Sequence, residues 1–294
     1  MQNVKPFFIK VITPLHAGSG SDLGVVDMPI QRESHTGFPK IEASSLKGSI
    51  RKAFEDKAKT EDEKINIHRI FGCDNCDKEF PTTFNKDNKD FAGALGFSDA
   101  RILFFPVKSV RGVFAYVTCP MVLKRFEADR TTGSEASASP QKELWFPQTV
   151  DESKCIVLGD KNKIDNTNNV ILEEYSFEAT KISGEVKTSL PKELFEAIKE
   201  RLVIISDDNF THFVKNSTEV ITRIRLKNGV ADKESGGLFT EEYLPSESVM
   251  YALALGEVAK FTNDDIKIMQ IGGDTNLGKG IVELTISVKV EAKK

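Results

Sequence analysis

This sequence has little cysteine and no excess of positive charge. The 294 residues include four cysteines, too few and too scattered for a disulfide scaffold. Lys and Arg together number 40 against 44 for Asp and Glu, which gives a formal net charge of −4. This total argues against a nucleic-acid-binding protein, because such proteins usually carry excess positive charge. Net charge does not describe the local field, however, so the distribution of the charges has to decide.

Long apolar runs are also lacking. No stretch approaches the roughly 18 consecutive apolar residues that a membrane span requires. The N-terminal segment MQNVKPFFIKVITPLH has no apolar region before a small-residue cleavage site, so it does not resemble a signal peptide. A hydrophobic fraction of 39% is nevertheless typical of a globular chain, which at this length needs no disulfides. We therefore expect a cytoplasmic protein with no membrane partner.

Hydrophobic periodicity predicts a mixture of helices and strands. The clearest helix begins at Ser44 or Ser45 and has Leu46, Ile50 and Phe54 on one face. Apolar runs and alternation predict strands at residues 7–12, 95–105, 113–118, 219–226, 238–244, 249–256 and 281–290. Further helices are predicted at residues 64–71, after Pro120, after Pro191 with Leu202 on its apolar face, and at residues 263–270.

The order of these elements predicts the fold class. A strand, a helix and further strands come first, and a strand, a helix and a strand come last. This arrangement favours a single α+β domain over residues 1–294 with a ferredoxin-like core and inserted loops. The strands at both ends of residues 219–244 predict a protruding β-hairpin. We expect the polar segments 72–90 and 130–148 to be flexible loops.

Residues 273–279 imitate a phosphate-binding P-loop. Their sequence, GDTNLGK, fits G-x-x-x-x-G-K, but the next position is Gly280, where a P-loop needs Ser or Thr. The predicted helix precedes this segment and a strand follows, whereas a P-loop follows a strand and opens a helix. We therefore reject a nucleotide hydrolase. Either a tight turn or a glycine-rich loop that lies against a phosphodiester remains.

Cys73 and Cys76 follow His68 at a spacing that suits part of a zinc site. No fourth ligand is visible nearby in the sequence. A thioredoxin-like redox site is excluded as well, because no strand leads into a helix that opens at Cys73. We favour an ordinary polar loop over zinc binding.

The long segment between the first strand and the first helix collects residues suited to chemistry. His16, Asp22, Asp27, Arg32 and Glu33 lie there among glycines and serines. These residue types suit acid–base or metal-assisted phosphoryl chemistry. A loop of this composition is more often merely solvated, so composition alone does not establish a site.

Basic residues form local clusters in spite of the acidic total. Lys47 and Arg51 share one face of the first helix, and Arg223 and Arg225 alternate along the first hairpin strand. Such stripes are usually solvated faces. Several of them in one acidic chain favour a segregated track for phosphates.

Taken together, the motifs resemble the RAMP superfamily of CRISPR proteins. More narrowly, they are similar to the repeated backbone subunit of type III-B (Cmr) effector complexes. The motifs that carry the resemblance begin with TPLHAGSGSDLGVVDMPIQRESHTGFPKI and end with IGGDTNLGKGIVEL, and they occupy residues 13–41, 44–51, 95–120, 218–245 and 271–284. The resemblance is weakest at residues 130–185 and around the cysteine pair.

This resemblance implies a fold and a set of partners. The expected fold is an RRM-like palm with the hairpin at 219–244 as its thumb. Copies would stack head to tail along a CRISPR RNA with other Cmr subunits, and each thumb would displace a nucleotide. The residues expected to bind RNA are Lys47, Arg51, Arg223, Arg225, Gly278, Lys279 and Gly280.

The resemblance also implies cleavage of target RNA paired to the guide, with a divalent metal such as Mg²⁺ or Mn²⁺. Asp27 matches the essential carboxylate of the family, which would hold the metal or position the attacking ribose 2′-hydroxyl. His16 and either Glu241 or Glu242 match helper positions. The alternative is an RNA-binding scaffold subunit of the same complex that does not cut.

Overall fold

The computed structural model describes residues 4–21, 24–73, 91–131, 147–165, 167–182, 186, 188–228, 230–231, 237–256 and 266–286. The described helices are α1 (Ala43–Lys57), α2 (Glu61–Phe71), α3 (Pro120–Thr131), α4 (Lys192–Ile198) and α5 (Asp207–Asn216), with 3₁₀ turns at Lys199–Arg201 and Thr275–Leu277. The described strands are β1 (Val4–Val11), β2 (Lys40–Ile41), β3 (Gly72–Cys73), β4 (Phe91–Ala92), β5 (Leu95–Phe97), β6 (Ala100–Ser109), β7 (Val113–Thr118), β8 (Lys154–Val157), β9 (Asn169–Leu172), β10 (Tyr175–Lys181), β11 (Leu202–Ile204), β12 (Glu219–Ile224), β13 (Leu226–Lys227), β14 (Val230–Ala231), β15 (Leu238–Tyr243), β16 (Val249–Gly256), β17 (Ile268–Gln270) and β18 (Ile281–Ile286).

Twelve of the described strands form one sheet, and strand β1 lies third from one end of the main strand order. The spatial order around it is β18, β1, β16 and β6, and each neighbouring pair is antiparallel. Strand β1 contains a continuous buried apolar run at residues 7–9, as expected for a sheet that is covered on both faces. Its Phe7 packs edge-on against Phe97 while the next residue, Phe8, packs against Phe126 of α3.

Half of this sheet curls into a ring. Strands β6, β7, β11, β8, β10 and β9 pair in that order, and Ser109 of β6 also pairs with Leu172 of β9. The mixed helix-and-sheet class agrees with the sequence, but the ring and its strands β8–β10 were not predicted. Residues 154–181 are rich in Lys, Asp and Asn, so their short apolar runs do not stand out.

Helix α1 begins earlier than its sequence suggests. It starts at Ala43, so the predicted caps Ser44 and Ser45 lie inside the first turn, and Glu42 at the cap position makes no side-chain cap. Asp99 supplies the missing acceptor from outside the helix, because its Oδ1 accepts the Ala43 N–H at 2.9 Å. Leu46 and Ile50 are buried as the periodicity predicts.

The predicted helix at residues 263–270 is wrong where the structure describes it. Residues 268–270 form strand β17, which pairs with β18, and Met269 is buried between exposed Ile268 and Gln270. Burial that alternates with a period of two indicates a strand. A short apolar run in the sequence does not distinguish a strand from a helix. Residues 263–265 lie outside the described residues.

Three other predictions need adjustment. Leu202 belongs to strand β11, because the helix before it ends at Ile198. The strand predicted at 95–105 is two strands, β5 and β6, separated at residues 98–99. Helix α5, capped by the Ser206 hydroxyl, was not predicted.

The predicted hairpin is confirmed by strands β12 and β15, which pair from Glu219–Tyr243 to Ile224–Leu238. The loops predicted at 72–90 and 130–148 fall largely on residues 74–90 and 132–146, outside the described residues. Of the helices that the structure describes, none has the length and apolar character needed to cross a bilayer.

Candidate functional site

The segment that carries Asp27 docks on the hairpin. Met28 forms a parallel β-bridge with Glu241. The Met28 N–H donates to the Thr240 carbonyl at 3.0 Å, and the Glu242 N–H donates to the Met28 carbonyl at 3.0 Å. The segment therefore extends the hairpin beyond β15 by one short strand. This pairing brings together two motifs that are more than 200 residues apart in the sequence.

Two donors of Thr240 fix the Asp27 carboxylate. The Thr240 N–H and hydroxyl donate to Oδ2 at 2.7 and 2.8 Å, and the Asp27 N–H donates back to the same hydroxyl oxygen at 3.0 Å. The backbone N–H of Thr240, followed by its hydroxyl, lowers the pKa of Asp27 below its ordinary value. Asp27 is solvent-exposed, and no side chain in the described ranges bonds its Oδ1. The group is thus an ionised carboxylate with one oxygen available.

His16 is buried beside the same hairpin strand. Its Nδ1 lies 2.7 Å from the Glu242 carbonyl oxygen, and since a carbonyl only accepts, Nδ1 carries the proton. Its Nε2 lies 3.7 Å from Glu241 Oε1. Gly18 is needed here because a Cβ would come within 2.7 Å of Nε2. Among the described contacts, none joins His16 to Asp27.

Glu241 belongs to a charged network on one side of the hairpin. Its Oε2 accepts from the Tyr243 hydroxyl at 2.8 Å and lies 3.1 Å from Arg223 Nε. Arg223 also donates to Asp274 at 3.1 Å and to Tyr243. Burial and the neighbouring Glu241 and Asp274 carboxylates raise the pKa of Tyr243. The Arg223 guanidinium, expected on RNA, is therefore engaged within the chain.

Glu242 points to the opposite side of β15, as the alternation of a strand requires. Its Oε1 accepts from Arg32 and, at 2.7 Å, from the Thr218 hydroxyl, while its Oε2 accepts the Ile30 N–H at 3.0 Å. Both oxygens are thus occupied by groups that hold the Asp27 segment in place. The helper roles of Glu241 and Glu242 in catalysis stay predictions.

A metal ion fits this site only if the substrate supplies most of its ligands. Across the described ranges, no three His, Cys, Asp or Glu side chains cluster tightly enough to hold one. Asp27 offers a single available carboxylate oxygen. Mg²⁺ is commonly bound through one or two carboxylates plus substrate phosphates, and this donor set suits that arrangement.

Lys47 and Arg51 line a separate cleft of about 710 Å³ between α1 and the β5 edge. Arg51 donates to Glu55 at 2.8 Å and to the Gly72 carbonyl at 3.2 Å, whereas Lys47 has no ion-pair partner among the described side chains. A Cβ at Gly48 would meet nothing within 4 Å. No described part of the chain therefore approaches Gly48 closely, and this face is open among the described residues.

The glycine loop packs against His16. The Gly273 N–H donates to the His16 carbonyl at 2.9 Å, and Gly278 and Gly280 both have φ of +73°. A Cβ at Gly280 would lie 2.0 Å from the Ile271 carbonyl oxygen, so glycine is required there. Strands β17 and β18 flank the loop, and no helix opens after it, which excludes a P-loop although the predicted preceding helix was wrong.

Two cationic side chains near the hairpin, Lys279 and Arg225, lie over aromatic rings. Lys279 Nζ is 4.7 Å from the centre of the Tyr243 ring, and the Arg225 guanidinium is 5.1 Å from that of Phe239. Both remain near the hairpin surface. Thr240, Tyr243 and Asp274 were not predicted as site residues from the sequence, and only the position of Thr240 next to the two glutamates could have indicated it.

The zinc hypothesis stays untested. Cys73 is buried in strand β3, directly after α2, and Cys76 lies outside the described residues.

Comparisons with known proteins identify the class. The sequence model of the RAMP superfamily matches residues 8–283. The CRISPR system Cmr endoribonuclease Cmr4 of Pyrococcus furiosus is 39% identical over 94% of this chain and 92% of its own. The CRISPR system CMR subunit Cmr4 of Saccharolobus solfataricus is 30% identical over 96% of both chains.

Solved structures agree in fold. A crystal structure of oligomeric Cmr4 from P. furiosus has a TM-score of 0.69 at 30% identity and covers 98% of both chains. A chain of the type III-B Cmr-beta complex bound to cognate target RNA has a TM-score of 0.75 at 25% identity and covers 97% of both. The chain therefore belongs to the RAMP superfamily and, within it, to the Cmr4 family of CRISPR proteins.

Proposed function

We propose that this chain is a backbone subunit of a type III-B CRISPR effector that binds guide RNA and cuts the paired target RNA at regular intervals. Copies of the chain stack head to tail along the guide, together with other Cmr subunits. The names of the relatives support this proposal, since one is an endoribonuclease and another belongs to a complex bound to target RNA.

One observation carries the catalytic part. Asp27 is an exposed, ionised carboxylate fixed to the hairpin strand β15, with one oxygen available. A hairpin that displaces a nucleotide would bring this carboxylate beside the distorted linkage. His16, Glu241 and Glu242 are buried and engaged, so they act by holding the surrounding segments in place.

RNA supplies its own nucleophile in this reaction. The ribose 2′-oxygen attacks the neighbouring phosphorus, and the 5′-oxygen of the next nucleotide leaves. Asp27 orients the 2′-hydroxyl or accepts its proton. Alternatively, the available Asp27 oxygen would hold a bound Mg²⁺ or Mn²⁺, which would neutralise the charge that develops on the phosphate.

The guide RNA is proposed to follow the open face of α1 and the glycine loop. Lys47 is unpaired among the described residues, Arg51 lies one turn away, and Gly48 between them leaves room for a phosphate backbone. Lys279 and Arg225 continue the positive surface at the hairpin. The strand order β18–β1–β16–β6, with α1 between β1 and β6, supports an RRM-like palm, with the hairpin as its thumb.

The decisive experiment replaces Asp27 by Asn in the assembled complex. Asp27→Asn is nearly isosteric, so guide and target binding should persist while cutting falls by at least about 100-fold. Asp165→Asn, an exposed carboxylate in the β8–β9 connection, is the matched control and should cut like the parent.

A complex in which Asp27→Asn cuts as fast as the parent overturns the catalytic assignment. The second candidate, a scaffold that binds RNA without cutting, rests on the engagement of Glu241 and Glu242 within the chain; Asp22 lies outside the described residues. A parent complex that binds target RNA tightly and leaves it intact with Mg²⁺ and Mn²⁺ would favour that candidate.

A further inference from the structure

Thr240 meets Asp27 through three hydrogen bonds. Its N–H and its hydroxyl both donate to Oδ2, and its hydroxyl oxygen accepts the Asp27 N–H. The hydroxyl hydrogen must point at Oδ2, because the opposite side of the oxygen already accepts an N–H. The two donors therefore hold the carboxylate in one rotamer and turn Oδ1 away from the hairpin.

Nothing else in the described structure orients this side chain. Asp27 lies in a bend outside the regular elements, and Val25, two residues before it, is almost fully exposed. The backbone of the segment, in contrast, is held independently by the Met28 hydrogen bonds to Thr240 and Glu242. Loss of the Thr240 hydroxyl would thus leave the Asp27 carboxylate on the Thr240 N–H alone, able to turn about that single bond, without undocking the segment.

We propose that Thr240 is a positioning residue for target-RNA cleavage, one that fixes the orientation of the Asp27 carboxylate relative to the hairpin. Thr240 sits on β15, so the carboxylate follows the hairpin as that hairpin engages RNA. The inference rests on the proposed function. Thr240 acts through Asp27 and does not itself touch the reacting atoms.

The chain offers a matched control for this test. Thr222 lies directly opposite Thr240 in the hairpin register, on the same face, and is exposed. Thr222→Val changes the hairpin surface in the same way as Thr240→Val but leaves the Asp27 contacts intact. Thr240→Ser keeps the hydroxyl and serves as the conservative rescue.

The experiment measures single-turnover target cleavage in the assembled, guide-loaded complex, together with guide and target affinity. Thr240→Val should cut about 10- to 100-fold more slowly than the parent, as is typical when a partner of a functional group is removed. Thr240→Ser should return to within about threefold of the parent, Thr222→Val should equal the parent, and the affinities should not change.

Thr240→Val that cuts like the parent, while Asp27→Asn is silent, overturns the positioning role and leaves the proposed function intact. Equal losses in Thr240→Val and Thr222→Val also overturn it, because a general hairpin effect then accounts for both. Asp27→Asn that cuts like the parent removes the proposed function and this inference with it. Should valine impair assembly, Thr240→Ala against Thr240→Ser decides by the same criterion.

Discussion

The Nδ1 atom of His16 lies 2.7 Å from the main-chain carbonyl oxygen of Glu242, although the two residues are 226 positions apart. This bond joins the loop after the first strand to the second strand of the hairpin. The Leu15–Leu244 bridge beside it makes two further main-chain bonds of 2.9 Å. The loop and the hairpin therefore form one unit, which carries Asp27 and the glycine loop.

His16→Ala tests how much this bond stabilises the chain. The substitution leaves the buried Glu242 carbonyl without its donor, which typically costs about 1–3 kcal/mol. We expect that decrease in the free energy of unfolding, measured by urea denaturation. His35→Ala is the control: its side chain is 73% exposed, and we expect a change below about 0.5 kcal/mol. Equal stability of the two variants would show that the buried bond contributes nothing.

Lys47→Ala tests the proposed guide track. If the ammonium contacts a phosphate, guide affinity should fall to a similar extent for every guide sequence, and the salt slope should decrease by about one unit. The measurement is guide binding at several salt concentrations. Lys52→Ala on the same helix is the control, because Lys52 is exposed and pairs with Asp56. Weaker binding with an unchanged slope would contradict a phosphate contact.

Asp99→Asn tests the pH dependence of the helix that carries Lys47. Partial burial raises the pKa of Asp99, but the Ala43 N–H and the Lys40 ammonium together outweigh it and hold the pKa below its ordinary value. A carboxyl with a depressed folded-state pKa stabilises the fold above its unfolded pKa of about 3.9, and this contribution is lost as the pH falls through the folded value.

The parent should therefore exceed Asp99→Asn in unfolding free energy by about 1 kcal/mol at pH 7, and the gap should close progressively below about pH 4. Denaturant unfolding at a series of pH values measures this gap. Asp165→Asn should differ from the parent by less than about 0.5 kcal/mol throughout. A gap that stays constant down to pH 3 would show that the Asp99 charge is not responsible.

Local sequence patterns predicted correctly those elements whose structure depends mainly on their own residues. The spacing of Leu46 and Ile50 predicted the buried face of α1, and alternation at residues 219–224 predicted the hairpin strand. Short apolar stretches were not sufficient. Residues 268–270 became a strand because β18 offers an edge to pair with, and no local signal records that neighbour.

Residue type alone could not show which of the candidate carboxylates is available and which are engaged within the chain. Asp27, Glu241 and Glu242 are equivalent by chemistry, yet only Asp27 is exposed with an available oxygen, since partners from distant segments occupy the other two. Arg223 is a similar case, because Asp274 arrives from the glycine loop to bind it.

By itself the sequence determined the mixed class, the hairpin, the helix with its basic face and the family of the chain, because periodicity and motifs are local properties. Only the tertiary structure decided where α1 finds its cap, which side chains are engaged and which carboxylate is available. Those outcomes depend on hydrogen bonds between segments up to 226 residues apart, and a hydrogen bond forms only when folding brings both partners within about 3 Å.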